Sequence, residues 1–171
     1  MEKSKKLSKH VEHGFPPFVY EEAEILILGS FPSPVSRETG FYYGHPRNRF
    51  WSVLAKVYGE DVPSGIEDKK SFLKRHKIAL WDVVESCDII GASDSSITNV
   101  APNDIRKIIR ETAIGKICVT GKTAGKLLKK YVGIEGIELP SPSPANCAAS
   151  FDDLVKVYEV ALSVCLKTPY K

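Results

Sequence analysis

Short continuous apolar runs in this chain are separated by longer stretches in which apolar residues recur every three or four positions. That is the pattern of buried strands joined by amphipathic helices. The runs are Ile25 to Leu28, Ile78 to Val84, Lys116 to Thr120 and Ile134 to Leu139. A continuous aliphatic run bounded by Gly or polar residues suits a strand covered on both faces. Between the runs, Phe50, Val53, Leu54 and Val57 predict one helix, and Glu67 to His76, with Phe72 and Leu73 inward, a second. Asn103 to Thr112, opened by Pro102 and carrying Ile105, Ile108 and Ile109, predicts a third, and Thr123 to Tyr131 a fourth. Leu154, Val157, Tyr158, Ala161 and Cys165 mark the last, with Ser150 and Asp153 resembling a capping box at its start. Strands that alternate with helices in this way predict an α/β fold: a three-layer α/β/α sandwich around a central parallel four-stranded sheet.

The stretches between these elements differ in kind. Met1 to His13 is rich in Lys and lacks periodicity, so residues 1–14 read as a flexible basic N-terminus, with a basic arm on nucleic acid as the alternative. Residues 15–171 then form a single domain, led in by the stiff apolar Phe15-Pro16-Pro17-Phe18. Cys87 to Asn99 is polar and rich in small residues, and predicts a long loop, either functional or mobile. Two loops stand out by content. Gly29 to Trp51 packs aromatics, prolines and amides between a strand and a helix, where ligands bind in open α/β sheets. The other, P-S-P-S-P-A-N, follows the strand ending at Leu139.

Composition narrows the chemistry. With 171 residues, 43% hydrophobic and 26% charged, the chain reads as one globular domain, and its net charge of +3 permits a polyanionic partner without demanding one. No apolar run approaches the roughly 20 residues that span a bilayer, and no secretory segment follows the N-terminal lysines, so a cytoplasmic location is expected. The four cysteines are scattered singly and the four histidines, His10, His13, His45 and His76, have no metal-ligand spacing, so neither disulfides nor a metal site is expected. Gly121-Lys122-Thr123 fails the phosphate-loop spacing because the residues before it are strand, and no G-x-S-x-G elbow is present.

Taken together, G-S-F-P-S…G-F-Y-Y-G-H-P-R-N-R-F-W and L-P-S-P-S-P-A-N resemble the two signature motifs of the uracil-DNA glycosylase superfamily. The likeness is closest to its hypoxanthine-DNA (DNA-deoxyinosine) glycosylase branch, through G-S-x-P, Y-Y-x-H-P-x-N-x-F-W, the A-L-W-D-V strand and the P-N-D stretch at Pro102 to Asp104. The resemblance covers Ala23 to Val164 and implies a monomeric enzyme without metal or organic cofactor. Its expected partner is double-stranded DNA carrying deaminated bases, hypoxanthine first and mismatched uracil second. Such an enzyme extrudes the damaged nucleotide and hydrolyses its base–sugar bond through an oxocarbenium-like state. A damaged-DNA binder without chemistry and a hydrolase of free nucleosides are the alternatives.

Residue roles follow from chemistry and from the resemblance. Tyr43, with Phe41 or Tyr42 nearby, offers a π-face to a flipped base, unless these rings fill the core. Gly29, Ser30, Phe31 and His45 line the expected base site, with the Ser30 hydroxyl and neighbouring amides donating to base oxygens. Phe31 stands where much of the superfamily has a water-positioning Asp or Asn, and the resemblance implies that Asn48 takes over; helix capping is the alternative for Asn48. In the second loop Ser141 is expected to hydrogen-bond the leaving base, and Ala145, followed by Asn146, matches the residue that wedges into DNA. Pro140, Pro142 and Pro144 stiffen this loop, and Ser143 is available to a phosphate. Arg47, Arg49 and Lys122 are candidate phosphate contacts or ordinary surface charges. Neither loop core carries a Lys, so no Schiff base is expected and the glycosylase is monofunctional.

Overall fold

The computed structural model describes residues 7–163. Four strands, β2 (Ile25–Gly29), β3 (Ile78–Asp82), β6 (Lys116–Thr120) and β7 (Ile137–Leu139), form a parallel sheet in the order β3-β2-β6-β7. Its register sets Ile25 opposite Ile78 on one side and Lys116 on the other. Side chains alternate between faces along each strand, so Leu26 and Leu28 enter one apolar cluster and Ile27 the other. The first cluster is closed by α4 (Ile105–Glu111) and α5 (Lys122–Val132), and the second by α2 (Phe50–Tyr58), α3 (Gly65–Arg75) and α6 (Phe151–Ser163). This is the expected three-layer α/β/α sandwich. Double coverage explains why the strands read as unbroken apolar runs.

Element boundaries follow local chemistry. The helix α6 opens with a reciprocal cap, in which Ser150 donates to Asp153 through its backbone N (3.0 Å) and its hydroxyl (2.7 Å), and the Asp153 N returns a bond to Ser150 Oγ. Asp104 rather than Asn103 caps α4, accepting from the Lys107 N at 3.0 Å. A short helix inside the first loop, α1 (Pro34–Thr39), was not expected. Ser33 Oγ caps it by accepting from the Ser36 N, Pro34 occupies its first turn, and Gly40 ends it at φ 76°. Among the described cysteines, Cys87 and Cys118 are buried, Cys147 is exposed and all are free; Cys165, expected on the last helix, lies outside the described residues.

Two regions differ from the sequence reading. Residues expected in a flexible basic end form β1 (Lys9–Glu12), while Met1 to Lys6 lie outside the described residues. The expected Cys87 to Asn99 loop is instead an antiparallel hairpin of β4 (Val84–Ile90) and β5 (Ser93–Pro102), turning at Gly91 with φ 61°. Together they make a small sheet, β1-β4-β5, over the first apolar cluster. Backbone pairing drives its formation: Lys9 faces Ile89 and Glu12 faces Ser86, with apolar support from Val11, Cys87 and Ile89. No helix among the described residues is long and apolar enough to cross a membrane.

Candidate active site

The sheet branches at the carboxyl ends of β2 and β6, since β3 lies beyond β2 and β7 beyond β6. Open α/β sheets bind ligands at such a switch point. Gly29 ends β2 there, and a Cβ on it would collide with Asp82 Oδ1 and sit 3.7 Å from Thr120 Oγ1. Glycine is what lets three strand ends close on one another. Over them lies Tyr43, whose hydroxyl shares a 3.1 Å hydrogen bond with Thr120 Oγ1 and whose ring stacks on Phe50 at 3.7 Å between centroids. Burial, reinforced by the Asp82 charge, pushes the Tyr43 pKa well up, so the hydroxyl stays protonated. Phe41 and Tyr42 are buried in the second cluster, which leaves Tyr43 as the partly exposed aromatic of the three.

The first loop delivers its polar residues through a tight turn. Asn48 N donates to the His45 carbonyl at 2.9 Å, and the Arg47 N donates to His45 Nδ1 at 3.1 Å. Asn48 Oδ1 accepts from the Phe50 N at 2.9 Å, so the carboxamide does brace the start of α2. Its amide hydrogens and the second Oδ1 lone pair are what it can present to water. Arg47 is exposed beside it, and Lys122 is exposed on the first turn of α5.

Arg49 is placed differently from both sequence expectations, a phosphate contact or an ordinary surface charge. Its backbone N donates to the Pro142 carbonyl at 3.0 Å, and its guanidinium donates to the carbonyls of Ala149 (2.7 Å), Asn146 (2.8 Å) and Ser143 (3.2 Å). With Nη1 and Nη2 bound to these carbonyls, and Nε buried without a partner among the described residues, it locks the second loop to the first. That loop is further tied by Asn146 Nδ2 donating to the Ser141 carbonyl (2.9 Å) and by the Tyr158 hydroxyl donating to the Pro140 carbonyl (2.9 Å). Ser141 packs against Gly121 at the end of β6, where a Cβ on the glycine would lie 3.3 Å from that of the serine. Pro142 is buried, Ser143 and Pro144 are half-buried, and Ala145 is exposed at the tip.

Four residues of this region escaped the sequence reading. His13, expected in a mobile end, is 5% exposed and bonds Asp82 Oδ2 through Nε2 at 2.7 Å, with Nδ1 2.9 Å from the Phe15 carbonyl. Asp82 is the single charged residue in the run I-A-L-W-D-V-V, and a carboxylate inside a buried strand was a readable signal. Asp94 reaches in from β5 to accept the hydroxyl hydrogen of Ser30, so that hydrogen is not free for a base oxygen as the sequence suggested. Nothing in the Ser-rich hairpin sequence foretold this. Arg37, on α1, holds its guanidinium 5.3 Å from the Phe31 ring centre, with Nη1 buried and unpartnered among the described residues. Asn99 donates to Asp88 across the hairpin.

Comparison with known proteins fits this arrangement. Residues 16–161 match the family model described as the uracil DNA glycosylase superfamily. Two curated relatives are named hypoxanthine DNA glycosylase. The protein of Methanosarcina barkeri is 38% identical over 140 residues, 79% of this chain and 88% of its own length. That of Methanosarcina acetivorans is 37% identical over 142 residues, 80% of this chain and 89% of its own. The solution NMR structure of a provisionally assigned uracil DNA glycosylase from Methanosarcina acetivorans superposes with a TM-score of 0.74 at 35% identity, covering 87% of this chain and 94% of that one. By sequence across most of its length and by fold, the chain belongs to the uracil DNA glycosylase superfamily.

Proposed function

We propose that this protein is a monofunctional DNA glycosylase that releases hypoxanthine from deoxyinosine in double-stranded DNA and leaves an abasic site. The observation that carries the reading is the convergence of the two loops at the β2 and β6 ends, where Arg49, next to Asn48, binds the carbonyls of the second loop and Ser141 packs on Gly121. The names of the two Methanosarcina relatives favour hypoxanthine as the base.

In this reading the flipped base lies against Tyr43, whose ring is fixed by Phe50 behind and Thr120 at its hydroxyl. Base–aromatic stacking of this kind contributes about 1–3 kcal/mol. Gly29 admits the base edge to the strand ends, and Ser141 bonds it from the second loop. Asn48 orients the attacking water, and stabilisation of a cationic sugar does most of the work because a neutral amide is a poor base. Ala145 and Asn146 meet the duplex at the loop tip, with Ser143, the flanking prolines, Arg47 and Lys122 beside the phosphates. A methyl group is a poor wedge, so extrusion depends on pairs that are already unstable.

Base release from duplexes carrying one deoxyinosine or one deoxyuridine, each opposite all four bases, tests the reading. Release from deoxyinosine, with Asn48→Ala keeping DNA affinity while losing about 100-fold or more in rate, is the expected result. Preferential uracil release would move the protein to mismatch repair of uracil, and binding without release would make it a damage reader.

A further inference from the structure

Hydrolysis of the base–sugar bond releases a proton from the attacking water, and the two residues nearest that task in the sequence cannot take it. Phe31 is apolar, and the Asn48 carboxamide is not basic. The strand ends hold two carboxylates. Asp82 is 5% exposed and has Oδ2 bound to His13. Asp94 is delivered from outside the parallel sheet, just past the Gly91 turn of the β4–β5 hairpin. One of its oxygens accepts from Ser30, the residue between Gly29 and Phe31, while the residue itself stays open to solvent.

We propose that Asp94 is the general base of the reaction, a carboxylate brought by the hairpin to the place beside Phe31 where the first loop supplies none. The inference rests on the glycosylase reading above. Water oxygen bonds to C1′ while one of its protons passes to the free oxygen of Asp94. The C1′–N9 bond breaks with its electron pair leaving on the purine, which takes a proton from solvent, and Asp94 returns its proton to solvent. Ser30 is 4% exposed and holds the other carboxylate oxygen, so the acceptor is fixed in direction.

The electrostatic surroundings suit the role. Protein packed about the carboxylate raises the Asp94 pKa above its ordinary 3.8, the Asp82 charge adds to this, and the Ser30 bond opposes it. A base of raised pKa accepts a proton more readily near neutral pH. The titratable groups that interact with it are Asp82 on β3, Tyr43 in the first loop and Cys87 on β4. An acid at the mouth of a site for a polyanion weakens DNA binding, so its presence there calls for a use in the chemistry.

Single-turnover release from a deoxyinosine duplex decides the matter. Asp94→Asn can still accept from Ser30 but cannot take the proton, so its rate is expected to fall about 100-fold or more while DNA affinity holds or tightens. The wild-type rate falls on acidification as Asp94 protonates, and Asp94→Asn lacks that limb. Asp94→Ala, a truncation at an exposed position, should regain rate when formate is added, which a purely structural role would not allow. Asp88→Asn, on the same hairpin but turned away, should match wild type. An Asp94→Asn rate within about threefold of wild type, an unchanged acid limb, or no rescue by formate would each overturn the assignment, given the scale of general-base effects. Wild type that releases no base at all would remove the glycosylase reading and this one together, whereas an active wild type with an indifferent Asp94 removes this one alone.

Discussion

His13 has acceptors on both ring nitrogens: the Phe15 carbonyl at Nδ1 and the Asp82 carboxylate at Nε2. The ring is therefore held from both sides, by the Phe15 carbonyl and by the Asp82 carboxylate. Its side chain is 6% exposed and that of Asp82 7%, so neither partner has bulk water to turn to. Removing one member of such a pair strands the other, whereas removing both can be close to neutral. His13→Leu should accordingly lose about 3–5 kcal/mol in urea unfolding, and the double variant with Asp82→Leu should regain a large part of it. Equal losses in the single and double variants would mean that His13 acts through packing with Phe15 and Tyr42 instead.

Among the elements, the second loop depends most on a single side chain. Arg49 spans three carbonyls of that loop, a planar fork that a lysine cannot reproduce. Arg49→Lys should leave the sandwich folded by circular dichroism and lower kcat/KM for base release by about 10-fold to 100-fold, the scale of an ångström's misplacement. A smaller loss would show that the prolines alone hold the loop. Legibility in the sequence divides along the same physical lines. Parallel strands such as Ile25–Gly29 and Lys116–Thr120 are buried on both faces, so their residues announce them, and the helices between show their apolar stripes. The hairpin strand Ser93–Pro102 is largely exposed and held by backbone pairing with bulges, which leaves no periodic trace. The first strand owes its order to a partner 78 residues away, His10 lying opposite Asp88 with a further hydrogen bond between their side chains. The crevice was legible where one loop carried it, and illegible for Asp94 and His13, which arrive from distant segments.

At the scale of the whole molecule, acid acts on the surface ion pairs in one direction and on the crevice in the other. Arg75 and His76 donate to Glu60 and hold its carboxyl below the ordinary 4.5. A depressed carboxyl stabilises the fold above its unfolded pKa and loses that contribution as pH falls through the folded value. Glu60→Gln should therefore lower Tm at neutral pH by a small amount, with the difference closing below pH 4.5. A gap that persisted in acid would mean that the hydrogen bonds, not the charges, matter there. Asp94 has the opposite sign, since its carboxyl is raised and its ionised form is the disfavoured one in the folded protein.

The strand Lys9–Glu12 and the histidine after it precede the segment shared with the superfamily, which begins at residue 16. A gene fragment trimmed to that shared segment would encode the central sheet and both signature loops, yet deprive the β4 edge of its neighbour and Asp82 of its hydrogen-bond partner. The edge of the family match thus falls inside the packed structure, and a cloning design for this protein starts upstream of Lys9.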